Sequence, residues 1–304
     1  MATRLLRTDH GRGLVLVSTA MVVLSFDALL VRLAGVPTAD VLFWRGMFIA
    51  LSLTVVLRML RGRWTWQEIA AGGAAAALAA IAMGLAQVLF VSAVMTTAVA
   101  NVVVIVTTAP LFAAALSGLF LREWVPLRTW LAIVLCMAGV VVVFAGSLKA
   151  GSWMGNVMAL GAALSISTVF TVLRRAPAVS RLAVLAVAGL LVAAVALPRA
   201  QPASVDGRGL AVLALMGLVQ MPLAQSLMTV ATRYLPSAEV AVFLTVETIL
   251  ATILAWLILG EAPPAQTLAG GGLVIATLVA HSWLALRGER LPPHREARRR
   301  AETH

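Results

Sequence analysis

Polar residues in this chain act as punctuation: ten runs of roughly twenty apolar residues alternate with short breaks carrying Gly, Pro or Arg. Runs of that length suit α-helices crossing a hydrocarbon core about 30 Å thick, not the alternating ten-residue strands of a barrel. Inside lipid the backbone must satisfy its own hydrogen bonds, which leaves the helix as the available form. The pattern predicts helices over residues 13–34, 39–60, 71–94, 98–121, 129–145, 153–172, 182–197, 209–232, 237–260 and 266–286. The breaks carry turn chemistry, as in Val36-Pro37-Thr38, residues 198–208 and Ala262-Pro263-Pro264.

The pattern also repeats. Met83-Gly84-Leu85-Ala86-Gln87 returns 138 positions later as Met221-Pro222-Leu223-Ala224-Gln225, and Thr107, Glu123 and Thr129 return at the same offset as Thr245, Glu261 and Thr267. Between residues 100–129 and 238–267, 11 of 30 positions are identical. Apolar identities are cheap in such a composition, so the weight rests on the recurring polar residues. Each copy holds five helices, an odd number, so the second must enter the membrane upside down relative to the first. The expected fold is an all-α membrane protein: ten transmembrane helices as two inverted five-helix repeats around a central cavity. The first repeat covers residues 1–147, the second 150–288, and a basic tail 289–304.

Composition agrees, with 62% hydrophobic residues against 12% charged. A net charge of +11 would suggest nucleic acid if it were not placed where orientation is decided: with a cytoplasmic N-terminus, 18 arginines fall on the inside and four basic residues, Arg32, Lys149, Arg199 and Arg208, on the outside. Both termini are therefore expected in the cytoplasm. The abundance of Ala, with one Lys against 22 Arg, reads as a GC-rich bacterial genome, and the expected location is a bacterial inner membrane. Arg4, Arg7 and Arg12 before the first run resemble a signal peptide, but no small-residue cleavage site follows, so the run reads as a retained helix. Trp64, Trp66, Trp124, Trp130, Trp153, Trp256 and Trp283 fall near helix ends as an interfacial belt. The tail, with its arginines and Pro292-Pro293, suits anionic lipid headgroups rather than nucleic acid. Cys136 alone makes no intramolecular disulfide, the four histidines form no ligand set, and Gly270-Gly271-Gly272 lacks the Lys of a phosphate loop. No cofactor is expected. The glycine run and residues 71–80 read instead as surfaces for close helix approach.

Ionisable groups inside spans cost roughly 2.5 to 3.5 kcal/mol on insertion scales, so each needs a partner or a wet cavity. Asp27 and Arg45 lie at matching depth on neighbouring antiparallel helices and are expected to pair, either as a static tie or as a pair that opens to substrate or a proton. Gln87 and Gln225, the repeated polar pair, either line the cavity or tie helices together. Gln220 is about 140° around its helix from Gln225, so one of the two should pack on a neighbour. Glu247 sits in the middle of the ninth helix with no charged residue within a turn, a candidate to carry a coupling proton or bind a cation, with a hydrogen-bonded structural role as the alternative. Trp44, Asn101, Ser165, Ser167 and Thr168 are weaker cavity candidates; the hydroxyls can equally bond a carbonyl one turn back. Glu123 and Glu261 end helices against the dipole, so each should find an Arg or the free N–H groups of the next helix start.

These residues resemble the ten-helix EamA-domain members of the drug/metabolite transporter superfamily. The resemblance rests on Phe43-Trp44-Arg45, on Thr107-Thr108-Ala109-Pro110-Leu111-Phe112 running to Leu121-Arg122-Glu123, and on Val246-Glu247 with the stretch from Leu254 to Glu261. It covers nearly all of the chain except the tail. It implies inverted five-plus-five helices around a cavity and movement of small metabolites, often outward. One departure stands out: Thr248 occupies the position where the second copy usually has Pro, opposite Pro110 of the first, so the fourth helix should be irregular and the ninth straighter. The expected function is secondary transport of a small-molecule substrate by alternating access, foremost export of amino acids or related amphiphilic compounds, with protons as the candidate coupling ion. Drug or organic-cation efflux and metabolite uptake are the rivals, and a non-transporting membrane sensor is the alternative of another class. An enzyme would need a cluster of nucleophile, base or metal ligands, and His is absent from span interiors except His281 near one end.

Overall fold

A computed structural model of the chain describes residues 9–121, 126–149, 152–231, 234 and 237–289. Arg4, Arg7, Arg122, Glu123, Trp124, Arg233 and the tail beyond residue 289 lie outside the described residues. The ten expected spans are all present: α1 (Asp9–Ser25 and Asp27–Leu33), α2 (Thr38–Arg61), α3 (Thr65–Thr96), α4 (Val99–Val106 and Ala109–Leu121), α5 (Leu127–Lys149), α6 (Trp153–Arg175), α7 (Arg181–Ala196), α8 (Gly207–Ala214 and Met221–Ala231), α9 (Ser237–Leu259) and α10 (Ala265–Glu289). Among the described residues, eight helices are long and apolar enough to cross a membrane, and α7 and part of α9 form two shorter apolar helices.

Packing carries the inverted duplication. Exchanging each helix with the one five places on turns α3 on α6 into α8 on α1, α4 on α6 into α9 on α1, and α3 on α7 into α8 on α2, and all six contacts are made. The pairs α2 with α7 and α5 with α10 map onto themselves, so they lie on the pseudo-twofold axis. Both are glycine crossings. A Cβ on Gly46 would stand 2.5 Å from the Gly189 carbonyl oxygen, and one on Gly189 would stand 2.6 Å from that of Gly46. On the second pair, a Cβ on Gly139 would stand 2.7 Å from the Gly270 carbonyl oxygen, and the Cys136 thiol points at the Val274 carbonyl at 3.8 Å. Lipid offers no hydrophobic gain for association, so close backbone approach of this kind is what holds helices together there. Residues 71–80 do the same work in part, burying Ala76, Ala79 and Ala80 against Val179 and Val184.

Among the described residues four helices depart from regularity. The first is interrupted at Phe26, one residue before Asp27. The fourth breaks at Thr107-Thr108, where Pro110 supplies no N–H and both hydroxyls turn back to carbonyls, Thr107 to Val103 and Thr108 to Ile105, each at 2.6 Å. The ninth runs unbroken through Thr248, as the Thr-for-Pro departure predicts, and Thr248 bonds the Leu244 carbonyl at 3.2 Å. The eighth contains a π-helical stretch, Leu215–Gln220, directly before Pro222, with the Met221 N–H reaching back to Met216. Sequence pattern predicts no such turn; it arises because Pro222 cannot donate to the preceding turn. The third helix begins at Thr65, six residues before its predicted start, because Gly73 absorbs a non-helical φ of 55° within it. At the interface Trp64 and Trp66 stack at 5.0 Å, the Arg58 guanidinium lies 5.4 Å from the Trp64 ring, and Trp130, Trp153, Trp256 and Trp283 are exposed.

Candidate substrate cavity

Between the repeats lies a cavity of about 320 Å³, walled by both copies. Most of its wall is apolar, including Met83, Phe90, Phe170, Met221, Met228 and Leu244. Its polar groups are few and distinct. Arg45 donates from Nη2 to both oxygens of Asp27, at 3.1 and 2.9 Å, and from Nη1 to Gln87 Oε1 at 3.4 Å. A guanidinium offers only donors, so the Gln87 amide must turn its oxygen toward Arg45. Its Nε2, and Arg45 Nε, meet no acceptor among the described residues. Each unmade buried donor costs about 1–3 kcal/mol, a cost that a stability-only tie between two helices has no reason to carry. The break at Phe26 sits directly before Asp27, which opens the second segment of α1 with its carboxylate in the cavity wall.

From the second repeat, Glu247 and Gln225 line the same cavity. Glu247 makes no hydrogen bond or ion pair among the described residues and shares the cavity wall with Asp27. Gln225 Nε2 reaches the Met221 sulfur at 3.9 Å, whereas Gln220 donates to the Val23 carbonyl at 3.0 Å and packs on α1, dividing the two glutamines as their angular separation requires. The hydroxyls of Thr107 and Thr248 bond to each other across the repeats at the level of the broken fourth helix. One wall residue, Arg181, was legible only as an orientation charge; it is exposed at the start of α7, so the cavity reaches the surface at the arginine-rich end. A charged residue just outside a predicted span is the only sequence signal it gives.

The opposite end is shut by a polar network from both repeats. Arg32 pairs with Glu261 at 3.3 Å and donates to the Thr97 carbonyl at 2.8 Å, while Glu261 accepts the Val99 N–H at 3.3 Å. The Arg expected for a carboxylate at that helix end is thus found, while the backbone N–H it accepts comes from the start of α4 in the other repeat rather than from the next helix. Asn101 is buried here, not in the cavity wall: it donates to Thr97 Oγ1 and Asn156 Oδ1, at 3.3 and 3.4 Å, and accepts from Thr267. Trp44 also lies elsewhere, stacked on Phe48 at 5.3 Å with its ring N–H donating to the Pro202 carbonyl at 3.3 Å. The hydroxyls of Ser165, Ser167 and Thr168 bond carbonyls one turn back, at 2.8, 2.6 and 3.0 Å.

The sequence profile described as the EamA-like transporter family matches residues 11–145 and again residues 153–283. The chain belongs to the EamA-like transporter family. The two EamA matches coincide with the two five-helix copies, and the cavity lies between them. No curated protein matches the chain. A solved structure titled "Crystal structure of protein" is 19% identical over 92% of this chain and 99% of its own, with a TM-score of 0.62, a likeness of fold alone.

Proposed function

We propose that this EamA protein exports amino acids or related amphiphilic compounds across the bacterial inner membrane by alternating access, coupled to protons, with both termini in the cytoplasm. One observation carries the reading: an apolar cavity between inverted repeats sets a guanidinium and an amide from one copy, Arg45 and Gln87, against a carboxylate from the other, Glu247. Pockets for small ligands run from roughly 300 to 1,000 Å³, so about 320 Å³ favours a metabolite over a bulky drug. Export is favoured because the cavity reaches the end carrying Arg58, Arg61, Arg174, Arg175 and Arg181, the cytoplasmic end by the distribution of positive charge. Uptake of such compounds is the runner-up.

Glu247 is the proposed proton carrier, because it alone among the cavity carboxylates has no cationic partner. Purified protein in vesicles carrying a pH gradient should move labelled amino acid, and Glu247→Gln should abolish gradient-driven flux while sparing exchange. Gradient-driven flux persisting in that variant would remove Glu247 from the coupling. The network at the far end should act as the shut gate of alternating access. Accordingly, Glu261→Gln is expected to raise severalfold the labelling rate of a cysteine placed at Val103, in a Cys136→Ser background, by an impermeant reagent applied to the face where Arg32 lies. An unchanged rate would make the network an ordinary tie.

A further inference from the structure

We infer that the substrate carries a carboxylate that competes with Asp27 for Arg45, with Gln87 as the second donor. The inference rests on the transport reading above and narrows it. Asp27 is an incomplete partner: both its oxygens crowd onto Arg45 Nη2, and the Nε–H beside that nitrogen on the guanidinium edge is left unmade. A carboxylate that enters edge-on takes Nε and Nη2 together, the two-point grip for which a guanidinium is shaped. Gln87 Nε2, unmade while its oxygen is committed to Arg45, supplies a third donor to the same group once Asp27 moves off. Arg45 and Gln87 are 3% and 6% exposed, so bulk water does not already serve these donors.

An amine without a carboxylate answers none of this; it would meet Glu247 and leave all three donors as they are. A carboxylate on Arg45 instead releases Asp27, which then faces the rest of the substrate beside Glu247, and the apolar wall of Phe90, Phe170, Met221 and Met228 receives the side chain. Asp27 is thus an internal stand-in for the substrate, holding the guanidinium when the cavity carries none. Arg45 keeps a carboxylate counter-charge at both stages.

Matched ligands separate the possibilities. Binding of L-leucine, 4-methylvalerate (no ammonium) and isoamylamine (no carboxylate) to the purified full chain is measured by thermal shift and by equilibrium titration. L-leucine and 4-methylvalerate should bind and isoamylamine should not. Asp27→Asn should tighten both carboxylates about tenfold, because their competitor is gone, whereas Gln87→Leu should weaken them about tenfold. If the amine binds as well as the acid, or Asp27→Asn weakens the acid, the competition is refuted while transport stands. If none of the three binds, the amino-acid reading falls and the inference with it. The ligand comparison on the unaltered protein decides even if Asp27→Asn fails to fold.

Discussion

Arg45→Gln is expected to abolish transport and to destabilise the protein by about 3–5 kcal/mol, because it leaves Asp27 buried without its counter-charge. The informative variant is the double one. Replacing both members of the pair, Asp27→Asn with Arg45→Gln, removes both charges together, and two amides can hydrogen-bond where the ions did. Such replacements of buried pairs are often close to neutral for stability. The double variant should therefore recover most of the stability lost in Arg45→Gln and none of the transport. A static tie predicts the reverse for activity: transport should return with stability. Thermal unfolding in detergent and flux in vesicles, measured on the same preparations, separate the two outcomes; wild-type flux in both single variants would end the functional reading.

The second large effect is expected on the axis. Gly46→Val places a branched side chain where even a Cβ would stand 2.5 Å from the backbone oxygen of Gly189 and 3.1 Å from the Ala193 nitrogen. Backbone atoms cannot swing aside as a side-chain end can, so α2 and α7 must separate along their length. Overpacking of a core commonly costs about 1–3 kcal/mol, and a crossing made of main chain belongs at the upper end or beyond. Gly189→Val should behave alike, since the contact is reciprocal. Gly272→Ala is the internal control: nothing lies within 4 Å of its Cβ, and it should melt like the unaltered protein. Equal melting of Gly46→Val and Gly272→Ala would show that the crossing is looser than drawn.

How much of this was readable in advance follows from what each feature depends on. Ten spans were legible because a helix in lipid must be apolar over its whole length, a property of consecutive residues. Inversion was legible because parity needs only a count. The Asp27 and Arg45 pair was legible because two charges in lipid have few places to go, and the straight ninth helix because Thr248 replaces a ring that lacks a donor. Asn101 was misplaced in expectation for a different reason. Its partners, Asn156 and Thr267, are 55 and 166 residues away, and no local pattern distinguishes an asparagine that joins such a network from one that faces a cavity. Trp44 was drawn toward the cavity by its neighbour Arg45, yet adjacent residues on a helix point about 100° apart, and its ring faces Phe48 and the Pro202 carbonyl. Arg181 was overlooked because helix boundaries read from hydropathy end at the first charge, where this wall begins.

The π-helical stretch before Pro222 bears on how such a cavity changes over generations. A turn of that kind holds one residue more than its neighbours for nearly the same rise, so everything after it is out of phase by about 100°. Gln225, Met221 and Met228 all follow the stretch and all face the cavity. Losing a single codon between Leu215 and Gln220 would rewind the stretch into regular α-helix and leave this set of side chains where it is, because the π turn already absorbs the extra residue. A one-residue deletion is thus absorbed at this stretch, whereas the same deletion in a regular span would rotate everything beyond it by about 100° and present another face of the helix to whatever is carried.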